Sequence, residues 1–358
     1  MTSKPTHTLS KSTFLKGLQC HKALWLNRYR PNLRDEITAD QQAVFDRGHD
    51  VGKLAQDLFP GGADSSPVNR DYAGAVKRTA ELIENGEKVI YEAAFLYNGV
   101  LCLGDILVKG RGGWKLYEVK SSTGLKDVYL PDAAVQYYIM NGCGIKLTDV
   151  SIVYLNNQYL RQGELNLNEL FTIESVLDQV EGMQDEIAEQ VDELKNVLSR
   201  KKVPNIEIGP HCSDPYDCDF MGHCWEHVPS PSVFDINRLT TAKKFELYRS
   251  GVVKLEDISE DYPLNNRQQI QIDAHISGKK HIDKQEIARF LELLTYPHYY
   301  MDFETFMPAV PLFDNARPYQ QVPFQFCVYY LSAKGAKPEL REFLAEEGSD
   351  PREAFIRA

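Results

Sequence analysis

Apolar positions follow a helical spacing in the first part of the chain and a strand spacing after it. They recur at helical intervals over residues 10–58 and from Tyr72 to Asn85. The runs Val89–Tyr97 and Val100–Val108 are instead rich in β-branched and aromatic residues. Asn98-Gly99, which joins them, is a strong signal for a two-residue hairpin turn. The pattern therefore predicts a helical segment followed by a sheet.

The chain then alternates between strand and helix patterns. A third strand is expected over Trp114–Lys120, a helix over Pro131–Asn141 and a fourth strand over Val150–Leu155. Phe171–Arg200 carries one apolar stripe opposite an acidic face, which predicts a single long helix. This order indicates an α/β fold with a mixed sheet and flanking helices.

A boundary is expected at Pro229-Ser230-Pro231-Ser232. Residues 233–295 after it are polar and helical in pattern, without an obvious core of their own. New strands are predicted at Tyr299–Thr305 and Phe324–Leu331. About 60 residues is short for an α/β domain, so we expect this last unit to be truncated. The predicted parts are a domain over 1–228, a helical connector over 229–296 and a truncated unit over 297–358.

Composition and charge narrow the class of protein. The chain has 358 residues and a net charge of -11, which argues against coating nucleic acid through bulk positive charge. The segment Met1–Arg34 differs from the rest, since its charged residues are all basic. No apolar run approaches the roughly 20 residues of a membrane-spanning helix, and residues 1–20 have no signal-peptide core. We therefore expect a soluble, cytoplasmic protein with no membrane partner.

The first candidate site lies on two neighbouring predicted strands. Gly104-Asp105 falls on the second strand of the hairpin, and Glu118-Val119-Lys120 falls on the next strand. Two carboxylates on adjacent strands can converge on a divalent cation, and Lys120 would project from the same face as Glu118. Such a set suits phosphodiester hydrolysis. The alternative is that these residues only decorate the solvent face of a sheet.

Four segments in their order resemble the PD-(D/E)XK nuclease superfamily, in particular RecB-like and CRISPR-associated RecB-like nucleases. The segments are Arg47-Gly48-His49, Gly104-Asp105, Glu118-Val119-Lys120 and Val135-Gln136-Tyr137-Tyr138. The resemblance covers about residues 10–227. Relatives often have a Tyr four residues after the Gln, whereas this chain has Met140 there.

This resemblance implies a restriction-endonuclease-like fold and a role for each matching residue. Asp105, Glu118 and the backbone carbonyl of Val119 would hold Mg2+ or Mn2+, and His49 would complete the shell. Lys120 would orient the attacking water. Gln136 would brace the site or contact DNA. Glu92, on the strand before the hairpin, is a weaker candidate for an outer carboxylate.

Four of the seven cysteines are the second candidate site. Three are spaced six residues apart near the end of the first domain and one lies far upstream: Cys212, Cys218, Cys224 and Cys20. Without an export signal, such cysteines favour a metal or redox site over disulfides. Four thiolates can hold zinc or a 4Fe-4S cluster. The resemblance to RecB-like nucleases favours the cluster, and zinc with a histidine ligand stays the alternative.

A third candidate lies on the predicted strand Tyr299–Thr305. Asp302 and Glu304 are two residues apart, so both project from one face of that strand. Asp302-Phe303-Glu304-Thr305 resembles the first motif of DEDD-type, ribonuclease-H-like exonucleases. The whole layout is similar to a bacterial family that joins two nuclease modules, of which the second would here be incomplete.

Taken together, these features predict a metal-dependent DNA nuclease that acts on single strands or ends, of the kind used in DNA repair or defence. Five residues are candidate DNA contacts: Lys22, Trp25, Arg28, Arg30 and Tyr137. One alternative is a catalytically inactive module that binds DNA ends for a partner complex. Another is a zinc-stapled scaffold without a nucleic-acid role.

Overall fold

The computed structural model describes residues 8–358. The chain divides into two compact units, Met1–Glu226 and His227–Ala358. Each unit has its own sheet and its own helices, and each is described by itself. Among residues 8–358, none of the helices combines the length and the apolar character that crossing a bilayer requires.

The first unit is built on a seven-stranded mixed sheet. The strands are β1 Leu9–Ser10, β2 Ala63–Asp64, β3 Val89–Tyr97, β4 Val100–Gly110, β5 Gly113–Lys120, β6 Leu147–Leu155 and β7 Phe171–Ser175. Their order is β2-β3-β4-β5-β6-β7, and β1 pairs with the first residues of β4. β4 is antiparallel to both of its neighbours, β3 and β5, whereas β5 and β6 are parallel.

Helices flank this sheet and close its core. They are α1 Lys11–Gln19, α2 His21–Tyr29, α3 Ala39–Gln56, α4 Tyr72–Glu84, α5 Leu130–Gly142, α6 Leu167–Leu170, α7 Leu177–Gly182, α8 Gln184–Ser199 and α9 Met221–Cys224. The main core joins apolar side chains of β3 to β6 with those of α1, α2, α5 and α8. The predicted α/β class with a mixed sheet and flanking helices is confirmed.

The β3–β4 hairpin forms where the sequence predicts it. Asn98 and Gly99 both have positive φ angles, 46° and 69°, as a tight hairpin turn requires. Backbone hydrogen bonds pair Tyr97 with Val100 at the base of the turn. The turn thereby fixes the register of β3 against β4, and this register decides which residues of the two strands face each other.

Two predicted helices are wrong in their extent. Phe171–Arg200 begins as strand β7, which pairs antiparallel with β6, and becomes helical only at Leu177. The apolar residues of Phe171–Ser175 fit the spacing of a strand as well as that of a helix. The segment becomes a strand because it pairs with the edge of β6. The helical segment 10–58 is interrupted by the extended backbone at Cys20 and by a loop before α3.

The second unit contains four helices and three strands among the described residues. They are α10 Thr241–Arg249, α11 Asn266–Ser277, α12 Lys284–Leu293, β8 His298–Phe306, β9 Val322–Leu331, β10 Glu339–Leu344 and α13 Arg352–Arg357. The strands form an antiparallel sheet in the order β10-β9-β8. The prediction that 233–295 lacks a core is wrong, because Val233, Ile236 and Leu247 with their neighbours pack into a small apolar cluster.

Candidate active site in the first unit

Three carboxylates lie side by side across β3, β4 and β5. Glu92 and Asp105 lie between the paired positions Tyr91–Ile106 and Ala93–Gly104 of β3 and β4, and the β4–β5 register, continued by one position, puts Asp105 opposite Glu118. Residues that face each other in an antiparallel ladder project from the same side of the sheet. Glu92 has a positive φ of 51°, a strained conformation for a residue with a side chain. The sheet therefore concentrates negative charge in one row.

Two lysines neutralise part of that charge. Lys120 donates hydrogen bonds to Glu118 Oε1 at 2.8 Å and to Asp132 Oδ2 at 2.5 Å. Lys11 donates to the same Glu118 Oε1 at 2.8 Å, and its Nζ lies 3.2 Å from Asp132 Oδ1. Lys120 comes from β5, Lys11 from the first turn of α1 and Asp132 from the first turn of α5. Two ammonium groups and two carboxylates thus form a closed arrangement drawn from three elements.

Helix α5 holds the arrangement from above the sheet. Gln136 is fully buried, and its Nε2 donates to Glu118 Oε2 at 2.7 Å. Its Oε1 is also buried and has no hydrogen-bond donor among the described residues. Gly104 allows this approach, because a Cβ there would lie 2.7 Å from Met140 Cε of α5 and 2.8 Å from Leu116 Cδ1. A side chain before Asp105 would therefore have to displace the ends of the Met140 side chain of α5 and the Leu116 side chain of β5.

Burial and mutual charge shift the carboxyl groups in opposite directions. Burial, together with the negative charges of Glu118 and Glu92, raises the pKa of Asp105 to about 8. For Glu118, burial alone would raise the pKa, but the charges and hydrogen bonds of Lys11 and Lys120 outweigh burial and lower it. The site therefore contains one carboxyl that exchanges a proton near neutral pH and one that stays ionised.

The remaining predicted metal ligands are placed less closely. Val119 lies in the row through its backbone, and its N–H donates to Asp105 Oδ2 at 2.7 Å. His49 is exposed on α3 and lies near Glu92. In residues 8–358, no three or more His, Cys, Asp or Glu side chains are grouped so that they could hold a metal ion. The prediction of a metal-binding chain is therefore wrong for the described residues.

The two lysines explain why Glu118 is not open to a metal ion. Both Lys11 and Lys120 donate to Glu118 Oε1, and Gln136 donates to Glu118 Oε2. Glu118 therefore has its oxygens engaged by protein donors rather than open toward a cation. As placed, His49, Asp105 and Glu118 do not fit a metal held by three side chains, and we derive no step of the chemistry through a metal.

The predicted iron–sulfur centre is also wrong for the described residues. The four cysteines Cys20, Cys212, Cys218 and Cys224 line one small pocket between α2 and α9. Their side chains do not form a metal-ligand group, and none is in a disulfide. The absence of such a group among the described residues applies to the zinc alternative as well.

The candidate DNA contacts fall into two groups. Trp25 is only 8% exposed, and its indole N–H donates to the carbonyl of Arg200, so its ring belongs to the core and not to a stacking surface. Tyr137 donates to Glu181, and Lys22 donates to the carbonyl of Ile206. Arg28 and Arg30 are exposed near the end of α2, and their contact with DNA stays a prediction.

An exposed aromatic residue near the site was missed from the sequence. Tyr216 is 60% exposed, and the charges of Lys120 and Asp132 act on its hydroxyl. Its backbone carbonyl accepts a hydrogen bond of 2.6 Å from the side chain of Gln19, which also binds the carbonyl of His211. Tyr216 is therefore an exposed aromatic ring near Lys120, and it replaces Trp25 as the candidate for stacking.

Two charged residues of the site were also missed. Asp132 lies one helical turn before Gln136, so the helix pattern contained a signal for it. Lys11 is 107 residues away from Glu118 in the chain, and no local spacing connects them. Its position depends on β1, which pairs with β4 and carries the start of α1 to the sheet. Only the three-dimensional structure identifies it.

The third candidate pair lies on β8 of the second unit. Asp302 and Glu304 are both exposed, opposite Cys327 and Gln325 of β9. Neither side chain makes an ion pair or a side-chain hydrogen bond with another residue in the described part of the chain. The pair shares one face of the strand as expected, and its role in a ribonuclease-H-like module stays a prediction.

Comparison with known proteins gives one partial match. A family model described as a domain of unknown function, DUF2779, matches residues 299–358, which lie in the second unit. No curated protein matches the chain. The family match covers much less than half of the sequence, and it does not include the site of the first unit. These comparisons therefore name no activity for the chain.

Proposed function

We propose that the first unit hydrolyses phosphodiester bonds of nucleic acid and acts on single-stranded DNA or DNA ends. The observation that supports this most strongly is the convergence of Asp105, Glu118, Lys120 and Gln136 from β4, β5 and α5. These are the residues that the resemblance to PD-(D/E)XK nucleases implies. A solvent-face decoration would not bury Glu118 and Gln136.

The chain's own groups supply three parts of the chemistry. The ammonium groups of Lys120 and Lys11 can stabilise the negative charge that builds up on phosphate oxygens during attack. Asp105, with a pKa raised to about 8, can accept or return a proton near neutral pH. Glu118 and Asp132 hold the two lysines in place, and Gln136 orients Glu118. Water attack at phosphorus would then break the bond to the leaving oxygen, which takes up a proton.

The test is a cleavage assay on labelled single-stranded DNA, duplex DNA and RNA. We expect the full chain to cleave DNA, and Asp105→Asn or Lys120→Ala to lower the rate by roughly a hundredfold or more. Lys195→Met is the control, because Lys195 lies on α8 and its nearest carboxylate is Asp192 at 3.7 Å. Unchanged cleavage by both site variants would overturn the proposal. Parallel reactions with EDTA, Mg2+ and Mn2+ measure whether the cleavage rate depends on either cation.

A second candidate function is binding of DNA ends without cleavage. The observation in its favour is that Lys11, Lys120 and Gln136 together engage both oxygens of Glu118. A site saturated in this way can hold a phosphate through its lysines without activating water. The same assay separates the two functions, because a binding module retains labelled DNA in a gel-shift experiment while the DNA stays intact under every metal condition.

A further inference from the structure

Lys11 occupies a place in the reaction site that its own helix does not favour. It is the first residue of α1, and the first turn of α1 contains no acidic residue. A positive charge at a helix N-terminus opposes the helix dipole by a few tenths of a kcal/mol or more. Lys11 therefore destabilises its own helix slightly, and its ion pairs with Glu118 and Asp132 offset this loss.

The backbone before Lys11 is fixed by several contacts. β1 pairs with β4 through Leu9 opposite Val100, and the side chain of Leu9 is fully buried. Ser10 caps α1, in a capping box with Thr13. The start of α1 is thus anchored both to the sheet and to its own first turn. Lys11 is held as firmly as a residue of the sheet itself.

The two lysines lie close enough to bind one phosphate. Lys11 Nζ and Lys120 Nζ each lie 2.8 Å from the same oxygen, Glu118 Oε1, so they are at most twice that distance apart. The Lys11 side chain is 22% exposed and that of Lys120 is 19% exposed, whereas Glu118 is nearly covered. Solvent therefore reaches part of each lysine side chain, whereas the carboxylate between them is almost fully covered.

We propose that Lys11 is a phosphate-binding residue of this site, which together with Lys120 contacts the phosphate at which a DNA strand is cut. The inference rests on the proposed function and adds a residue from outside the sheet to it. Each ammonium group has three donors, so each can keep its carboxylate partners and still donate to a phosphate oxygen. The basic N-terminal helix would thereby be linked to the reaction centre.

The decisive measurement is binding of a labelled single-stranded DNA oligonucleotide, followed by fluorescence anisotropy. All variants carry Asp105→Asn, so that binding is measured without cleavage. We expect Lys11→Met to weaken binding roughly tenfold or more, as for the loss of a hydrogen bond to a charged group. It should also reduce the slope of log Kd against log salt concentration by about one, which is the contribution of one phosphate contact. Lys11→Arg, which keeps the charge, should lose much less.

Lys195→Met is the matched control, since the Lys195 side chain is 23% exposed, carries the same charge and belongs to the same unit. Its affinity and salt dependence should stay within about twofold of the parent. Circular dichroism and the urea midpoint check that Lys11→Met is folded. A folded Lys11→Met variant with unchanged affinity and salt slope would overturn the inference, because Lys11 would then serve only as a counter-ion.

The outcomes also separate this inference from the proposed function. If the wild-type chain binds DNA but never cleaves it, the hydrolase proposal fails, and the Lys11 variants still decide whether Lys11 contacts phosphate. If the wild-type chain cleaves DNA while Lys11→Met retains full affinity, the hydrolase proposal stands and the role of Lys11 is refuted. Absence of DNA binding by the wild-type chain overturns both.

Discussion

Both units carry carboxylates that share one face of a sheet, Asp105 and Glu118 on two adjacent strands and Asp302 and Glu304 two residues apart on one strand. Their surroundings differ. In the first unit, Glu118 is buried between two lysines and a glutamine. In the second unit, Asp302 and Glu304 are exposed on β8. Burial strengthens electrostatic interactions and makes an unpaired charge costly. Because Glu118 is buried, it needs hydrogen-bond donors and positive charges around it, whereas the exposed carboxylates of the second unit are solvated by water.

The difference follows from what covers each sheet. In the first unit, α5 packs on β4 and the start of α1 reaches the end of β5, so two helices deliver Gln136, Asp132 and Lys11 to the carboxylates. In the second unit, the residues next to Asp302 on β8 are themselves exposed, including Met301 and Phe303. Carboxylates share one face of a sheet in both units, but the side chains around them decide whether a reactive site results.

The largest expected effect comes from removing the buried carboxylate. Glu118→Gln keeps the shape but leaves Lys11 and Lys120 with Asp132 as their close anionic partner. Breaking a buried ion pair costs about 3–5 kcal/mol of unfolding free energy. Glu304→Gln should change it by no more than about 0.5 kcal/mol, since Glu304 is exposed. Urea unfolding of the full chain, followed by circular dichroism, measures both.

Tryptophan fluorescence assigns the Glu118→Gln transition to its unit. The three tryptophans, Trp25, Trp114 and Trp225, all belong to the first unit, so their emission reports its unfolding. Equal losses of stability in Glu118→Gln and Glu304→Gln would contradict the contrast between the two regions.

The second effect is a pH dependence that arises from Asp105. Its pKa is raised to about 8 in the folded chain, against about 3.9 for an unfolded aspartate. Between these values the folded state binds a proton that the unfolded state does not, so the unfolding free energy falls as pH rises, by at most about 1.4 kcal/mol per pH unit. Asp105→Asn should remove this contribution. An identical slope in wild type and Asp105→Asn between about pH 6 and 8 would refute it.

The third effect tests the packing of α5 on the sheet. Gly104→Ala would place a methyl group 2.8 Å or less from Met140 and Leu116 side-chain atoms. Overpacking of this kind costs about 1–3 kcal/mol. Gly124→Ala is the control, because nothing lies within 4 Å of its Cβ position. If both variants unfold at the same urea concentration, the close approach of α5 is not what requires glycine before Asp105.

The sequence was sufficient for the parts of the molecule that local pattern controls. The hairpin at Asn98-Gly99, the strands on either side of it and the proximity of Asp105 to Glu118 follow from turn chemistry and alternation. The extent of the helix before α7 was wrong, because Phe171–Ser175 fits both periods and its pairing with β6 is a tertiary choice.

The residues that surround Asp105 and Glu118 were harder to predict than these two carboxylates themselves. Asp132 could have been found from its spacing to Gln136, whereas Lys11 reaches Glu118 only through the pairing of β1 with β4. Spacing and the resemblance predicted the four cysteines as ligands, and all four do line one pocket, but among the described residues their side chains do not meet as a metal-ligand group. Spacing along the chain does not contain that information.

The smallest expected effect is on DNA affinity, and it compares one exposed tyrosine from each region. Tyr216 of the first unit is 60% exposed beside Lys120 and Asp132, and Tyr300 of the second unit is 57% exposed on β8. If Tyr216 stacks on a base of DNA held by the lysines, Tyr216→Ala should weaken binding of a single-stranded oligonucleotide by about 1 kcal/mol, or roughly fivefold. Tyr300→Ala, which removes a ring of similar exposure, should leave the affinity unchanged. Because stacking depends little on ionic strength, the loss at Tyr216 should persist at high salt, whereas the loss at Lys11 should shrink. A Tyr216 effect that disappears with salt, or an equal effect of Tyr300→Ala, would place the DNA-binding surface elsewhere than at this site.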